Sequence, residues 1–459
     1  MRPSLRAAGT VGLLAGVINA IQIDFNSDDS IKEGVSTVAF GLLKYYTGNN
    51  TGDVPGNLPD PYFWWEAGAM FGTMIDYWFY TKDDTYNEVT TQAMLHQVGQ
   101  DQDYMPENQT STLGNDDQGF WAMAAMSAAE NNYPNPPEDQ PQWLALVQAV
   151  FNEYVTRWDE ESCGGGIRWQ IFTFNNGFNY KNSISNGCFF NIASRLARYT
   201  GNQTYADWAE KVWDWMVDVN YIDDEFNIYD GAGATENCKN INRAQWTYNA
   251  GIFLQGAAVM YNFTDGNDTW SQRTDGLLTR TVEIFFEDGI VIERQCESVD
   301  LCDVDQQTFK GYLMRWMAST QVLAPFTADR IAPLLQSCAE AAALQCSGST
   351  GPPEFKGEPG TACGFKWTEK QNFDGIVGVG PQMSALSAMQ YTLVKRSTAA
   401  PVTADTGGTS VGNVNAGASY EDKVPQLAPI TMGEKVAAGF MTTAMVFSVI
   451  GGSFFIMKE

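Results

Sequence analysis

Histidine is all but missing from this 459-residue chain, and His96 is the only one. A Ser-His-Asp or Cys-His mechanism would have to run through it, yet it sits among Met94, Leu95 and Val98 in a helical pattern, where a structural role is expected. Zinc sites built on histidine and cysteine lack ligands for the same reason. Basic side chains are scarce too: 27 Lys and Arg face 54 Asp and Glu, a formal charge of −27. That balance speaks against nucleic acid or anionic lipid as a partner and describes a solvated acidic surface. No Gly-Lys-Ser/Thr follows Cys163-Gly164-Gly165-Gly166, so the run is not a phosphate-cradling loop. Asp223-Asp224-Glu225 lacks the spacing of a calcium loop. Neither a cofactor nor a metal is expected, and carboxylates are what remain for chemistry.

Long apolar runs are confined to the two ends. Arg2 and Arg6 precede small and apolar residues from Ala7 to Val17, then Ile18-Asn19-Ala20. This order reads as a secretory signal peptide, residues 1–20, because the run is shorter than the ~20 residues of a membrane span. From about Ser397 to Ser419 the composition turns to Ser, Thr, Ala, Gly and Asn, an expected unfolded stalk. Small residues at Asn415-Ala416-Gly417-Ala418-Ser419, a polar spacer and an apolar tail from Val436 to Met457 form a glycosylphosphatidylinositol (GPI) signal. Asn415 or Gly417 would carry the anchor, and 420–459 would be removed. Eight cysteines are compatible with four disulfides, with Cys296–Cys302 and either Cys338 or Cys346 with Cys363 as local pairs. Sequons begin at Asn49, Asn108, Asn202, Asn262 and Asn267, as in a glycosylated ectodomain.

Residues 21–396 remain for the folded part. No Pro/Ser-rich linker divides them, strand-like alternation is rare, and helical periodicity recurs throughout. Tyr205, Trp208, Ala209, Val212, Trp213 and Met216 make one amphipathic stripe. By contrast, 68–74, Phe120 to Ala129 and Gly251 to Met260 are small or apolar all round, as in helices buried on every side. About twelve helices are expected, starting near Ser30, Trp64, Thr85, Asp116, Pro141, Ser183, Thr204, Trp246, Asn267, Asp305, Thr327 and Pro381. Amphipathic and buried types alternate, which predicts an all-α (α/α)6 barrel with six inner and six outer helices; no repeat of fixed period supports a solenoid. The polar and aromatic clusters then fall at inner-helix N-termini, on one face: Phe63 to Glu66, Asn115 to Gln118, Lys181 to Ser183, Gln245 to Asn249 and Asp305 to Gln307.

Asp116 and Asp117 open one of the buried helices. Capping accounts for one acid at such a position but not for two. Close carboxyls push their proton affinities apart, which suits one as acid and the other as nucleophile in glycoside cleavage. Inside a regular helix neighbouring residues diverge by about 100°, so the pair works only where the helix begins. Aromatic faces stack on sugar rings, and Trp64, Trp65, Trp169, Trp246 and Tyr248 are candidates; Asn115, Gln118, Lys181, Asn182 and Asn249 could bond hydroxyls. An inverting enzyme would need a well-separated second acid, for which Asp230 and Asp374 are in reserve.

The strings Pro61-Tyr62-Phe63-Trp64-Trp65-Glu66-Ala67-Gly68, Gly114 to Trp121, Cys163 to Gln170, Asn179 to Asn182, Ser185 to Cys188, Gln245 to Asn249 and Gln382 to Leu386 are long and unusual. In them, from Ser30 to about Gln390, the chain resembles the fungal GPI-anchored endo-α-1,6-mannanase-like cell-wall proteins and, more distantly, bacterial endo-α-1,6-mannanases. Phe63 stands where tyrosine would be expected in the first string. The resemblance implies an (α/α)6 fold and a retaining mechanism with Asp116 as nucleophile and Asp117 as acid/base. It further implies an α-1,6-mannan or GPI-glycan donor, wall β-glucan as acceptor, and residence at the outer face of the plasma membrane and in the wall. A non-catalytic mannan-binding wall protein on the same scaffold is the competing expectation.

Overall fold

The computed structural model describes residues 20–349, 355–370, 373–395, 398–417 and 432–456. The chain falls into two units, Met1–Ala418 and Ser419–Glu459. In the first unit the α-helices are α1 (Asp28–Leu43), α2 (Trp64–Thr81), α3 (Asn87–His96), α4 (Asn115–Glu130), α5 (Trp143–Thr156) and α6 (Ser183–Thr200). They continue as α7 (Gln203–Asp218), α8 (Thr247–Phe263), α9 (Asp268–Phe285), α10 (Gln306–Leu323), α11 (Ala328–Gln345) and α12 (Val379–Gln390). Each starts within a residue or two of the position expected from periodicity.

The even-numbered helices pack in sequence, α2 on α4, α4 on α6, α6 on α8, α8 on α10 and α10 on α12, and α12 returns to α2. An odd-numbered helix covers each of them from outside. This is the (α/α)6 barrel. Burial follows the two sequence types: α7 hides Tyr205, Ala209, Val212, Trp213 and Met216, whereas α4 is buried at every position from Gln118 to Glu130. Inner helices can approach because small residues face large ones. A Cβ at Gly68 of α2 would come within 2.8 Å of the Trp121 ring on α4.

The interior also holds ion pairs, among them Arg195–Glu130 at 2.6 Å and Arg315–Asp76 at 2.7 Å. Asp76 also accepts from Tyr391 Oη, so removing either partner strands a charge.

Two local disulfides appear as expected, Cys296–Cys302 and Cys346–Cys363. A third, Cys163–Cys238, joins the loops that precede α6 and α8. The expectation of four is corrected, since Cys188 and Cys338 are buried and free. They sit inside α6 and α11, and Cys338 packs its sulfur against the Val291 N–H at 3.3 Å. Among the sequons, Asn49, Asn108, Asn202 and Asn267 are exposed. Asn262 is half-buried and its Oδ1 accepts from Arg198 Nε at 2.8 Å, so that amide is not presented to solvent.

The expected unfolded stalk is also corrected. Residues 398–417 run as an ordered strap over α4, α5 and α6. Val402 N–H bonds Glu130 O, Arg198 bonds Pro401 O, and Leu144 N–H bonds Ser410 Oγ. Farther along α5, Asn413 N–H reaches Gln148, and Asn152 donates to Val414 O and Ala416 O. Gly417 is buried at φ +71, where a Cβ would meet Ala149 O at 2.6 Å; Asn415 is exposed. Gly417 is therefore poorly presented as an attachment site, while Asn415 remains accessible. Ending the chain at 396 removes the whole strap. Each bond nets about 1 kcal/mol, against the entropy of ordering the segment, so a net loss of about 1–2 kcal/mol is expected. Differential scanning fluorimetry of chains ending at 396 and at 417 would read this as a Tm lower by a few degrees; equal Tm values would mean the strap contributes nothing.

Residues 1–19, holding nearly all of the expected signal peptide, lie outside the described residues, as do 418–431 and 457–459. The second unit contains α13 (Met432–Ile456). Among the described residues no helix is long and apolar enough to cross a membrane.

Candidate active site

The first turns of the inner helices α2, α4, α8 and α10, with the N-cap of α6, meet at a cleft of about 440 Å³. From α2 it takes Phe63, Trp64 and Trp65; from α4, Asp116, Asp117 and Phe120; from α8, Tyr248; from α10, Asp305 and Phe309. Loops contribute Gln109, Thr112 and Leu113 on one side, Trp169, Gln170, Tyr180 and Asn182 on another, and Asp230.

The two adjacent acids occupy the first turn of α4, whose N-cap is Gly114 with extended backbone (φ −96, ψ 161). Asp117 reaches back, and its Oδ2 accepts the Gly114 N–H at 2.7 Å. Asp116 Oδ1 accepts the Asp117 N–H at 3.2 Å. Both carboxyls fold toward Gly114, where a Cβ would lie 2.4 Å from Asp116 Oδ1 and 3.1 Å from Asp117 Oδ2. The start of the helix thus lets neighbouring side chains converge, which a helix interior forbids. Capping and chemistry are combined here: Asp117 caps α4 and also lines the cleft.

Behind this turn, α5 supplies a clamp. Arg157 donates to Asn115 Oδ1 (2.7 Å), Gln118 Oε1 (2.6 Å) and Glu153 Oε2 (2.9 Å). Gln118 also donates to Glu153, and Tyr154 Oη donates to Asn115 O. From the other side Asn115 N–H and Nδ2 bond Trp169 O and Arg168 O, both at 2.8 Å. The residues flanking the aspartates are therefore fixed on both sides.

Burial governs the electrostatics. Asp116 is held well above the usual carboxylate range by burial and by the neighbouring charge of Asp117. Asp117 is pushed up to about 6 by burial, against the opposing pull of the Gly114 N–H. The pair therefore shares a proton near neutral pH, and the anion rests more readily on Asp117. Asp305 is pushed up to about 7, by burial first and Asp303 second, with Trp65 Nε1 donating to it at 3.1 Å. Behind it Glu66 is pushed up to about 9 by burial. Asp230 is raised by burial, while Tyr180 Oη (2.6 Å), Trp246 and Asn242 donate to it. The cleft therefore carries four carboxyl groups and no Lys, Arg or His in its lining. They do not gather into a cluster that could hold a metal ion among the described residues.

Of the candidates from sequence, Trp64, Trp65, Trp169, Asn182 and Tyr248 line the cleft with the two aspartates. Tyr248 stacks on Phe309 at 3.8 Å, and Asn182 also caps α6 through Ser185 N–H. Trp246 stands beside the cleft, edge-on to Phe309 and bonded to Asp230. Four expectations of substrate contact are corrected. Asn115 and Gln118 belong to the buried clamp. Lys181 is fully buried, with its ammonium on the carbonyls of Asp159, Ser162 and Gly165. Asn249 is buried inside α8. Of the reserve acids Asp230 reaches the cleft, whereas Asp374 holds its own loop by accepting the N–H groups of Phe365, Lys366 and Ile376.

Tyr180, Asp305 and Phe309 also line the cleft, although none was a candidate for it from the sequence. Tyr180 and Asp305 did stand in strings already singled out, but Phe309 carried no signal beyond lying one helical turn after Asp305. His96 is exposed at the end of α3, outside the cleft lining.

Comparison with known proteins matches the profile of glycosyl hydrolase family 76 to residues 30–405. The mannan endo-1,6-alpha-mannosidase DCW1 of Saccharomyces cerevisiae is 47% identical over 451 residues, 97% of this chain and 97% of its own length. DFG5 of the same yeast, also called a mannan endo-1,6-alpha-mannosidase, is 44% identical over 95% of this chain and 94% of its own. The crystal structure of Dfg5 from Chaetomium thermophilum in complex with glucosamine is 47% identical, covering 86% of this chain and 97% of that one, with a TM-score of 0.80. An inactive variant of a Salegentibacter α-1,6-mannanase in complex with α-1,6-mannotriose shares the fold at 19% identity, with a TM-score of 0.61 over 79% of this chain and 99% of that one.

Proposed function

Since the chain belongs to glycosyl hydrolase family 76, we propose that it cleaves α-1,6-mannosyl linkages with retention of configuration, and transfers the released glycan to a sugar acceptor. That it is a glycoside hydrolase follows from the family; the linkage, the stereochemistry and the transfer are proposed. The observation that carries it is the folding of Asp116 and Asp117 over Gly114: Asp116 Oδ1 and Asp117 Oδ2 lie 2.4 Å and 3.1 Å from the point a Gly114 Cβ would occupy, hence no more than about 5.5 Å apart, as a retaining pair requires.

Asp116 attacks the anomeric carbon as the glycosidic C–O bond breaks, and Asp117 gives its proton to the leaving oxygen. Asp117 then takes a proton from an incoming hydroxyl, which displaces Asp116 from the covalent intermediate. Trp64, Trp65, Trp169 and Tyr248 give the cleft apolar walls for pyranose faces. An aromatic wall that excludes water favours a sugar hydroxyl over hydrolysis. The donor is an α-1,6-mannan or the mannose core of a GPI glycan, and wall β-glucan is the acceptor. Four carboxyls without a cation suit the free amine of a glucosamine in such a glycan, the sugar bound by the Chaetomium relative. The protein reaches the wall through a signal peptide and a lipid anchor, with Asn415 as the accessible attachment site.

One observation favours a second assignment of roles. The Gly114 N–H stabilises the anion of Asp117, so the resting proton sits on Asp116, as it would if Asp117 were the nucleophile. Trapping with a 2-deoxy-2-fluoro-mannosyl fluoride and peptide mass spectrometry decides: the label is expected on Asp116, and a label on Asp117 reverses the roles. Proton NMR of the first product tests the rest. An α-anomer and acceptor-dependent larger products are expected; a β-anomer would overturn the retaining mechanism.

A further inference from the structure

Apart from the cleft, the catalytic face exposes a large aromatic ring with no task assigned so far. Phe174 is 53% exposed, in the loop that runs from Trp169 to Tyr180. Water contact of that kind is unfavourable for a phenyl ring, and a flexible loop could fold it away. This loop cannot. Phe172, itself buried, stacks on Phe174 with centroids 5.3 Å apart and planes within 10°. Asn175 Nδ2 bonds the side chain of Gln170 at 3.1 Å and Thr110 O at 3.3 Å, and Ile171 N–H bonds Leu113 O. Gln170 and Leu113 both line the cleft, so Phe174 is pinned to its rim. The ring is held by its stack on Phe172 while about half of its surface stays open to solvent.

Trp169, at the other end of the loop, is built the same way. Gly177, with φ +96, lies flat under its ring, where a Cβ would come within 2.3 Å, and the ring is 37% exposed into the cleft. Two aromatic platforms, each backed from behind and open in front, therefore stand on one wall, Trp169 inside the cleft and Phe174 beyond its mouth. Rigid open aromatic faces in a row are what consecutive pyranose rings stack upon.

We propose that Phe174 forms an outer saccharide subsite that receives a pyranose ring of an extended α-mannoside chain whose reacting end lies beside Asp116 and Asp117. This subsite rests on the mannoside-cleaving function proposed above. It makes the enzyme favour long chains over short ones, because only a chain spanning the rim collects the second stacking contact.

The test is a titration of α-1,6-mannooligosaccharides, from disaccharide to hexasaccharide, into the full-length protein carrying Asp117→Asn, with and without Phe174→Ala. Affinity should rise with chain length, and Phe174→Ala should remove only the last increment. That is a loss of about 3- to 10-fold for the hexasaccharide and none for the disaccharide, with Phe174→Trp retaining the long-chain gain. Because the ring is already exposed, the variant should fold normally. A length dependence unchanged by Phe174→Ala, or an equal loss at every length, overturns the subsite while leaving the function above intact. Failure of every oligosaccharide to bind either form overturns both.

Discussion

Asparagine in place of Asp116 or of Asp117 should leave a folded barrel that has lost at least about 10⁴-fold in kcat, because nucleophile and acid act as a unit. The two losses should not add: the double variant is expected to be hardly worse than either single one. They should also differ in kind. Without the nucleophile no glycosyl-enzyme forms on any substrate. Without the acid, a substrate whose leaving group needs no proton, such as a dinitrophenyl mannoside, should recover much of the first step. Protonation ties this to pH. Because the pair works with one shared proton, kcat/KM should fall as pH drops through about 6, where a second proton joins the pair and no carboxylate remains as nucleophile. It should fall again at alkaline pH, where the shared proton, held well above the usual carboxylate range by burial and the neighbouring charge, is lost and no acid remains.

The same substitutions should stabilise the protein at neutral pH. A carboxyl whose folded pKa lies above its unfolded one weakens folding as pH rises between the two values, and the penalty is complete above the folded pKa. For Asp117 that window runs from 3.8 to about 6, which corresponds to about 2–3 kcal/mol at pH 7. Asp117→Asn removes the charge at the cost of a weaker acceptor for Gly114 N–H, so a higher Tm at pH 7, vanishing near pH 4, is the expected signature. An unchanged kcat, or a Tm gain that persists at pH 4, would show that these carboxyls are not the strained pair described here.

Helix positions were legible in the sequence because the barrel imposes two distinct burial patterns, and each leaves its own composition. The all-round apolar string from Phe120 to Ala129 can only be an inner helix, and the stripe from Tyr205 to Met216 only an outer one. The site was legible to the extent that it lies at inner-helix starts, which is how Asp116, Asp117, Trp64, Trp65 and Tyr248 could be named. Polarity near those starts was a poorer guide to which side chains face the cleft. Lys181, Asn115 and Gln118 are polar because they tie loops together from behind, a job that uses the same residue types as sugar binding. Telling them apart requires the side-chain direction, which a one-residue difference in where a helix begins changes by about 100°. The strap failed for another reason. A Ser, Thr and Gly composition signals that a segment buries little apolar surface of its own, but 398–417 is held through backbone groups by side chains of α5, and composition does not record a partner's amides.

Gly114→Ala should cut catalysis steeply, though less than losing an aspartate, even though alanine is an ordinary residue at that backbone. With φ −96 and ψ 161 the position lies where any L-residue is comfortable, so the backbone gives no reason for glycine. The reason is space: an added Cβ would stand 2.4 Å from Asp116 Oδ1, 3.1 Å from Asp117 Oδ2 and 3.2 Å from Trp169 O. The carbonyl belongs to the strand-like bridge between Gly114 and Gln170 and is bonded to Asn115 N–H, so it is fixed. Asp116 is the group that must move. Displacing a reacting atom by about 1 Å costs on the order of 10²-fold in rate. A fall in kcat of about 10²- to 10³-fold is therefore expected, with KM for an α-1,6-mannooligosaccharide and Tm changed little, since neither the aromatic walls nor the clamp is touched. Steady-state kinetics beside thermal melting separate this from misfolding. A Gly114→Ala enzyme of normal kcat would mean that the working position of the Asp116 carboxyl is elsewhere, and with it the pairing of the two acids over a missing side chain.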